Sequence, residues 1–309
     1  MAVDVARRGT GTRWWAGTRS GSTRIVRGSR FRIAAIGRAL FILLYLGFLL
    51  LPMYWAFVTS IKPQEDLLHE PPVWWPSHPT GIHYSTALNS FRGWDGLENS
   101  LIIAGATTVL AVITGTMAGY SMARFRTGGK HLAFWFLSQR MLPPVAVIIP
   151  VFLLYSRYSE TWFGFTLVDT HLGLILLYTV FALPFTVWMM YTYFRQMPTD
   201  LEQAALVDGC SRWQALWKVA VPLALPGLVS AGAFAFIFSW TEFLFAQVLT
   251  RTNTVTLPVA LAGIVTGFQG NQYGEASALT MVSLIPALAL GILVQKHLVR
   301  GLTLGAVTG

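Results

Sequence analysis

Six runs of apolar residues, each near the length at which an α-helix crosses a bilayer, recur along this chain and constrain its fold more than any other feature. They lie at about Gly37 to Val58, Ser100 to Met122, His131 to Tyr155, Leu172 to Phe194, Pro226 to Leu249 and Ala276 to Gln295. Composition agrees, because 54% of the 309 residues are hydrophobic and 11% are charged, where soluble domains carry about 25% charged residues. The expectation is an all-α membrane protein with a six-span domain over residues 37–296 and both termini on one side. Cys210 is the single cysteine, so no internal disulfide is available and packing must hold the fold.

Charge sets the orientation. Residues 1–36 hold eight arginines among Gly, Ser and Thr, too few apolar residues for a core, and are expected to be a disordered basic cytoplasmic tail. With that tail inside, the inner segments hold seventeen Lys and Arg, while the outer ones hold four, Lys62, Arg92, Arg157 and Arg251. This is a positive-inside pattern, N-in and C-in, with a long outer loop at 59–99 and an inner tail at 297–309. The tail fits an anionic-lipid or nucleic-acid patch, but apart from Trp14 and Trp15 it lacks interleaved aromatics and needs no role beyond orientation; membrane lipid, and not nucleic acid, is the expected partner of the chain as a whole.

Several chemistries have no motif here. There is no G-x-x-x-x-G-K-[ST] frame, since Gly128-Gly129-Lys130 runs into His131, and there is no H-E-x-x-H or G-x-S-x-G. The six histidines never stand four residues apart. No metal site, nucleotide site or catalytic centre is expected on this chain.

The inner segment 195–225 is the most informative. Thr199 with Glu202, and Ser211 with Gln214, have capping-box spacing, and Gly209 between them is a helix stop. Two short helices joined by a sharp elbow are predicted, each too short to be stable alone in water. Ala204 and Ala205 give the first helix a face that another backbone can approach, while Trp213, Leu216 and Trp217 are expected to hold the second helix to the bundle. The same residues also fit an ordinary loop folded on its own bundle.

Two charged residues fall well inside predicted spans, Glu242 and Arg140, and the neighbours of Arg140, Pro143-Pro144, suggest a broken helix end whose freed carbonyls need donors. An ionised side chain at mid-helix costs about 2.5 to 3.5 kcal/mol on insertion scales, so each should face a partner or a wet cavity. Glu242 with Thr241, Ser239 and Gln247 is a candidate lining for a solute pathway, and a purely structural bond for Glu242 is the equal alternative. Ala111, Gly115 and Gly119, four residues apart, read as a close helix interface.

The elbow carries a resemblance. Gln203-Ala204-Ala205, three residues, Gly209, nine residues, Val219, one residue and Val221-Pro222 resemble the EAA signature of ATP-binding-cassette importer permeases. Arg140-Met141-Leu142-Pro143-Pro144, Ser239-Trp240-Thr241-Glu242, Thr256-Leu257-Pro258 and the ending Gly301-Leu302-Thr303 to Gly309 are similar to the MalG-like carbohydrate permeases. The resemblance implies a type I importer fold in a bacterial plasma membrane and a coupling role for Glu202, Gln203, Ala204, Ala205, Asp208, Gly209 and Pro222. It implies contact of Gly305, Ala306 and Gly309 with ATPase subunits. The implied partners are a second, MalF-like permease subunit, two ATPase subunits that bind ATP and Mg, and an extracytoplasmic solute-binding protein; this chain itself binds no cofactor. Gln203 stands where the signature has Glu, so any ion pair with an ATPase arginine has to come from Glu202 or give way to an uncharged bond. The implied cargo is a sugar, mono-, di- or oligosaccharide, for example of the trehalose or maltose type, with a polyol or glycerophosphodiester importer as the alternative. A stand-alone secondary transporter would need paired carboxylates in the membrane, and only Glu242 is available.

Overall fold

The computed structural model describes residues 24–139, 141–266 and 272–303. Their regular structure is helical, with no strand among the described residues. The chain divides into two units at Tyr54 and Trp55. The first unit holds most of α1 (Arg24–Ile61), which starts inside the segment expected to be a tail. Its large side chains from Ile36 to Leu51 are exposed, as suits a helix surrounded by hydrocarbon.

The second unit contains α2 (Ile82–Asn89), α3 (Gly93–Phe125), α4 (Gly129–Gln139), α5 (Pro144–Leu153), α6 (His171–Gln196), α7 (Asp200–Val207), α8 (Arg212–Leu223), α9 (Leu225–Trp240), α10 (Leu244–Leu249), α11 (Leu257–Thr266) and α12 (Tyr273–Thr303). Unbroken apolar helices long enough to cross a membrane are Ala35–Ile61, Gly93–Phe125, His171–Gln196 and Tyr273–Lys296, matching four of the expected spans. The other two expected spans are broken. The run from His131 to Tyr155 stops at Gln139 and restarts at Pro144, with Pro143 extended (φ −64°, ψ 127°). A proline lacks an N–H and pushes its predecessor out of the α region, so Pro143-Pro144 cannot continue a helix. The run from Pro226 to Leu249 stops at Trp240 and restarts at Leu244, and α8 meets α9 at a bend of 78°.

The core lies where α3, α6 and α9 meet, with Ala111, Ala182 and Ala235 in one buried cluster. A Cβ added at Gly115 would lie 2.9 Å from the Thr186 Cβ, and one at Gly119 would lie 2.7 Å from the Tyr191 N. The small-residue stripe is thus the seat of α6, a helix interface and not a conduit.

A second anchor forms at the expected outer ends of α3 and α6. Asn99 Nδ2 donates to the carbonyls of Asn253 (3.1 Å) and Val255 (2.9 Å), His171 Nε2 lies 2.8 Å from Asn99 Oδ1, and Ser100 Oγ accepts from Leu257 N (2.8 Å). Asp169 sits at φ 57° and accepts from the backbone N–H groups of Arg251, Thr252, Asn253 and Thr254 at 2.9 to 3.1 Å. The hydroxyls of Thr252 and Thr254 add to them. Burial alone would raise the pKa of Asp169, but the four N–H donors outweigh it and hold the carboxyl well below the usual carboxylate range.

Candidate functional site

The elbow forms much as its local signals require. Gly209 takes φ 86°, a conformation that costs an L side chain energy, and Cys210 N closes the turn on Ala205 O (3.0 Å). At Ser211 the capping box is complete: Gln214 N donates to Ser211 Oγ (3.2 Å), and Ser211 N donates to Gln214 Oε1 (2.9 Å). Leu216 to Ala220 then widen into a π turn just before Pro222, whose missing N–H and bulky ring would break a regular turn there. Leu216 and Ala220 are buried against Met190, Phe194 and Tyr120. Trp213 and Trp217, expected to hold α8 to the bundle, stack edge to face at 5.6 Å and stay partly exposed, so Leu216 does the packing.

The expected capping box at Thr199 does not form. Thr199 has helical dihedrals and no side-chain cap, because Glu202 turns inward instead. Glu202 is 6% exposed; its Oε1 accepts from Arg124 Nε (2.9 Å) and Nη2 (2.6 Å), and its Oε2 accepts from Tyr120 Oη (2.8 Å). Arg124 Nη2 also donates to Met197 O (3.2 Å). The ion pair that the sequence left for a partner's arginine is therefore made within the chain, with Arg124. Gln203, Ala204, Asp208 and Gly209 are exposed and Ala205 half-buried, so the small-residue face stays accessible. Neither Arg124 nor Tyr120 was singled out by sequence; a basic residue near the end of an apolar helix reads as an orientation signal.

The second cluster surrounds Glu242, which lies in the break between α9 and α10. Its Oε1 accepts from Phe245 N (2.9 Å), and its Oε2 accepts from Ala246 N (3.2 Å) and Tyr178 Oη (2.6 Å). The carboxylate supplies acceptors to the N–H groups of the restarting helix, which have none of their own at membrane depth. A cavity of about 200 Å³ opens beside it, lined by Glu242, Ser239, Tyr178, Phe181, Phe238 and Phe245 among others. Of the four expected pathway residues, Glu242 and Ser239 meet there. Thr241 and Gln247 are exposed outside the lining, and Ser239 Oγ is already donating to Ala235 O (2.9 Å). Tyr178 was missed, since a tyrosine within an apolar run carries no local signal. Arg140, Gly305, Ala306 and Gly309 lie outside the described residues. No group of three His, Cys, Asp or Glu able to hold a metal occurs among the described residues.

Glu242→Ala would strip three donors of their acceptor in a low-dielectric setting, where each unsatisfied group costs about 1 to 3 kcal/mol. We expect a loss of roughly 3 kcal/mol or more, and about half of that for Glu242→Gln, which keeps one carbonyl oxygen. Thermal unfolding of the purified chain in detergent checks both values, and equal stability of the two variants would contradict the capping role.

Comparison with known proteins identifies the family. The family model described as binding-protein-dependent transport system inner membrane component matches residues 111–304. The chain is 33% identical over 270 residues to the diacetylchitobiose uptake system permease protein DasC of Streptomyces coelicolor, covering 87% of this chain and 95% of that one. It is 38% identical over 272 residues to the trehalose transport system permease protein SugB of Mycobacterium tuberculosis, covering 86% and 95%. In fold it is similar to a chain of a bacterial ABC transporter involved in the import of the acidic polysaccharide alginate, with a TM-score of 0.73 over 86% of this chain and 96% of that one at 23% identity. A family match over more than half of the chain, with relatives above 30% identity along most of it, shows that the protein belongs to the binding-protein-dependent transport system inner membrane components, the membrane permeases of these importers.

Proposed function

We propose that this permease carries a sugar, from mono- to oligosaccharide, through the plasma membrane as one subunit of an ATP-binding-cassette importer. The observation that supports this reading most is the elbow: α7 is fastened from below by Glu202 while Gln203, Ala204 and Asp208 remain open to a partner. The sugar class is supported by relatives whose names specify diacetylchitobiose and trehalose. The remaining parts of the assembly are a second permease subunit of similar build, two ATPase subunits holding ATP and Mg, and an extracytoplasmic solute-binding protein. The chain itself holds no cofactor, and its work is mechanical. Closure of the ATPases displaces α7 and α8, and the attached helices turn the cavity beside Glu242 from outward-open to inward-open. Gly305, Ala306 and Gly309 extend the same contact to the ATPases.

The test is crosslinking from the helix face. A cysteine at Ala204, in a chain whose Cys210 is serine, is expected to capture an ATP-hydrolysing subunit from native membranes. Ala204→Trp, which fills the small-residue face, is expected to lower sugar uptake at least about tenfold, within the range that coupling energies span. Failure to capture any ATPase, or full uptake by the tryptophan variant, would overturn the reading. Identification of the solute retained by the purified assembly then separates a sugar from a polyol or a glycerophosphodiester.

A further inference from the structure

We propose that Arg124, supported by Tyr120, is the positioning residue through which the elbow moves the transmembrane bundle; the proposal rests on the importer reading above. Among the residues of α7, Glu202 alone is buried. Leu201 is 51% exposed and Val207 is 88% exposed, so the helix has little apolar footing beyond Leu206, at 37%, and the half-buried Ala205. Its attachment to the bundle through side chains is therefore concentrated in one carboxylate. That carboxylate is fully engaged: Arg124 holds one oxygen through two nitrogens and Tyr120 holds the other. The guanidinium also donates to Met197 O, at the end of α6, so three elements converge on a single cation.

The burial of this pair argues for geometry over stability. Side-chain exposure is 10% for Arg124 and 8% for Glu202. An ion pair removed from water to that degree gains little over an apolar contact of the same volume, and its best-attested use is to fix one register against others. Here the register fixed is that of α7 against the end of α3. Arg212 adds a second link from the start of α8, its guanidinium 5.2 Å from the centre of the Phe125 ring.

What α3 receives at Arg124 it can deliver far away. It is one unbroken helix of 33 residues, about 50 Å long at 1.5 Å per residue. Along its middle Gly115 and Gly119 seat it closely on α6, and near its other end Asn99 and Ser100 hold the segment 253–257. A stiff rod gripped at both ends by polar contacts is a direct route from the elbow to the opposite rim, and no second fastening of α7 is needed.

The experiment uses the complete importer, purified through this chain and reconstituted in liposomes. It compares wild type with Arg124→Lys, Glu202→Gln and Tyr120→Phe by three readouts: ATPase retained, ATP hydrolysed, and sugar imported per ATP. We expect retention and hydrolysis close to wild type for all three. Sugar imported per ATP should fall at least about tenfold for Arg124→Lys and Glu202→Gln, and about threefold for Tyr120→Phe, which leaves the ion pair intact. An unchanged ratio overturns the proposal, and so does a proportional fall in all three readouts, which would mean that the pair only holds the fold. Should the two charge variants fail to accumulate, Tyr120→Phe decides by the same criterion. A wild-type chain that retains no ATPase removes the importer reading and this proposal together, whereas a retained ATPase with an unchanged ratio removes this proposal alone.

Discussion

Gly119→Leu is expected to leave little folded protein in the membrane. A single Cβ at this position would stand 2.7 Å from the backbone N of Tyr191 and 2.8 Å from the Cβ of Met190, and neither can swing aside as a long side chain does. The whole of α6 would have to retreat from α3 and uncover the Ala111, Ala182 and Ala235 cluster. Overpacking a close-packed interior costs about 1 to 3 kcal/mol when side chains can adjust, so a clash with backbone should reach at least roughly 3 kcal/mol for leucine and about 2 for alanine. Gly105 is the internal control, because a Cβ there meets nothing within 4 Å and lies on the same helix. Gly105→Ala should be neutral or slightly stabilising, as expected for alanine in a helix. Thermal unfolding of the three purified variants gives the comparison, and similar melting of Gly119→Ala and Gly105→Ala would show that the two helices are not seated as described.

Asp169→Asn should produce the second large loss, this time outside the spans. The carboxylate gathers four backbone N–H groups and two threonine hydroxyls, and it joins the start of α6 to the segment 251–254. An asparagine offers one acceptor oxygen and turns an NH2 toward the same donors. Hydrogen bonds to a charged group contribute about 1.5 to 3 kcal/mol each where solvent is excluded, and this partly exposed site retains less, so we expect about 2 to 3 kcal/mol in total. Acid should mimic the substitution. Because the folded pKa is depressed, the contribution is complete above the unfolded value of about 3.9 and is lost as pH falls below it toward the folded pKa. Between neutral pH and pH 5 the wild type should show no change from this group. Proteolysis of the 250–257 segment measures both effects, and equal cleavage of wild type and Asp169→Asn at neutral pH would refute the role.

Four spans were legible because a run of about 20 apolar residues is by itself sufficient to specify a membrane helix. Hydropathy revealed neither break, since it averages composition and is blind to backbone continuity, but Pro143-Pro144 marked the first as a broken helix end. At Trp240 to Leu244 no Pro or Gly marks the second, and the signal was the carboxylate itself, placed three residues ahead of a backbone N–H that needed an acceptor. In the elbow, Gly209 and the Ser211 to Gln214 cap were readable because they act within three residues. Thr199 and Glu202 have the same spacing, yet Arg124, 78 residues away, captured the carboxylate. A charge-assisted pair in a buried place outweighs a cap at the surface, and only the folded chain reveals that the rival donor is near.

The 78° bend between α8 and α9 has a mechanical consequence. At 1.5 Å per residue α8 is an arm of about 18 Å, so sideways travel of one helical pitch, about 5.4 Å, at its Ser211 end swings it through about 17°. Held at that angle to α9, such an arm would turn modest travel at its Ser211 end into rotation of a helix that ends two residues before Glu242.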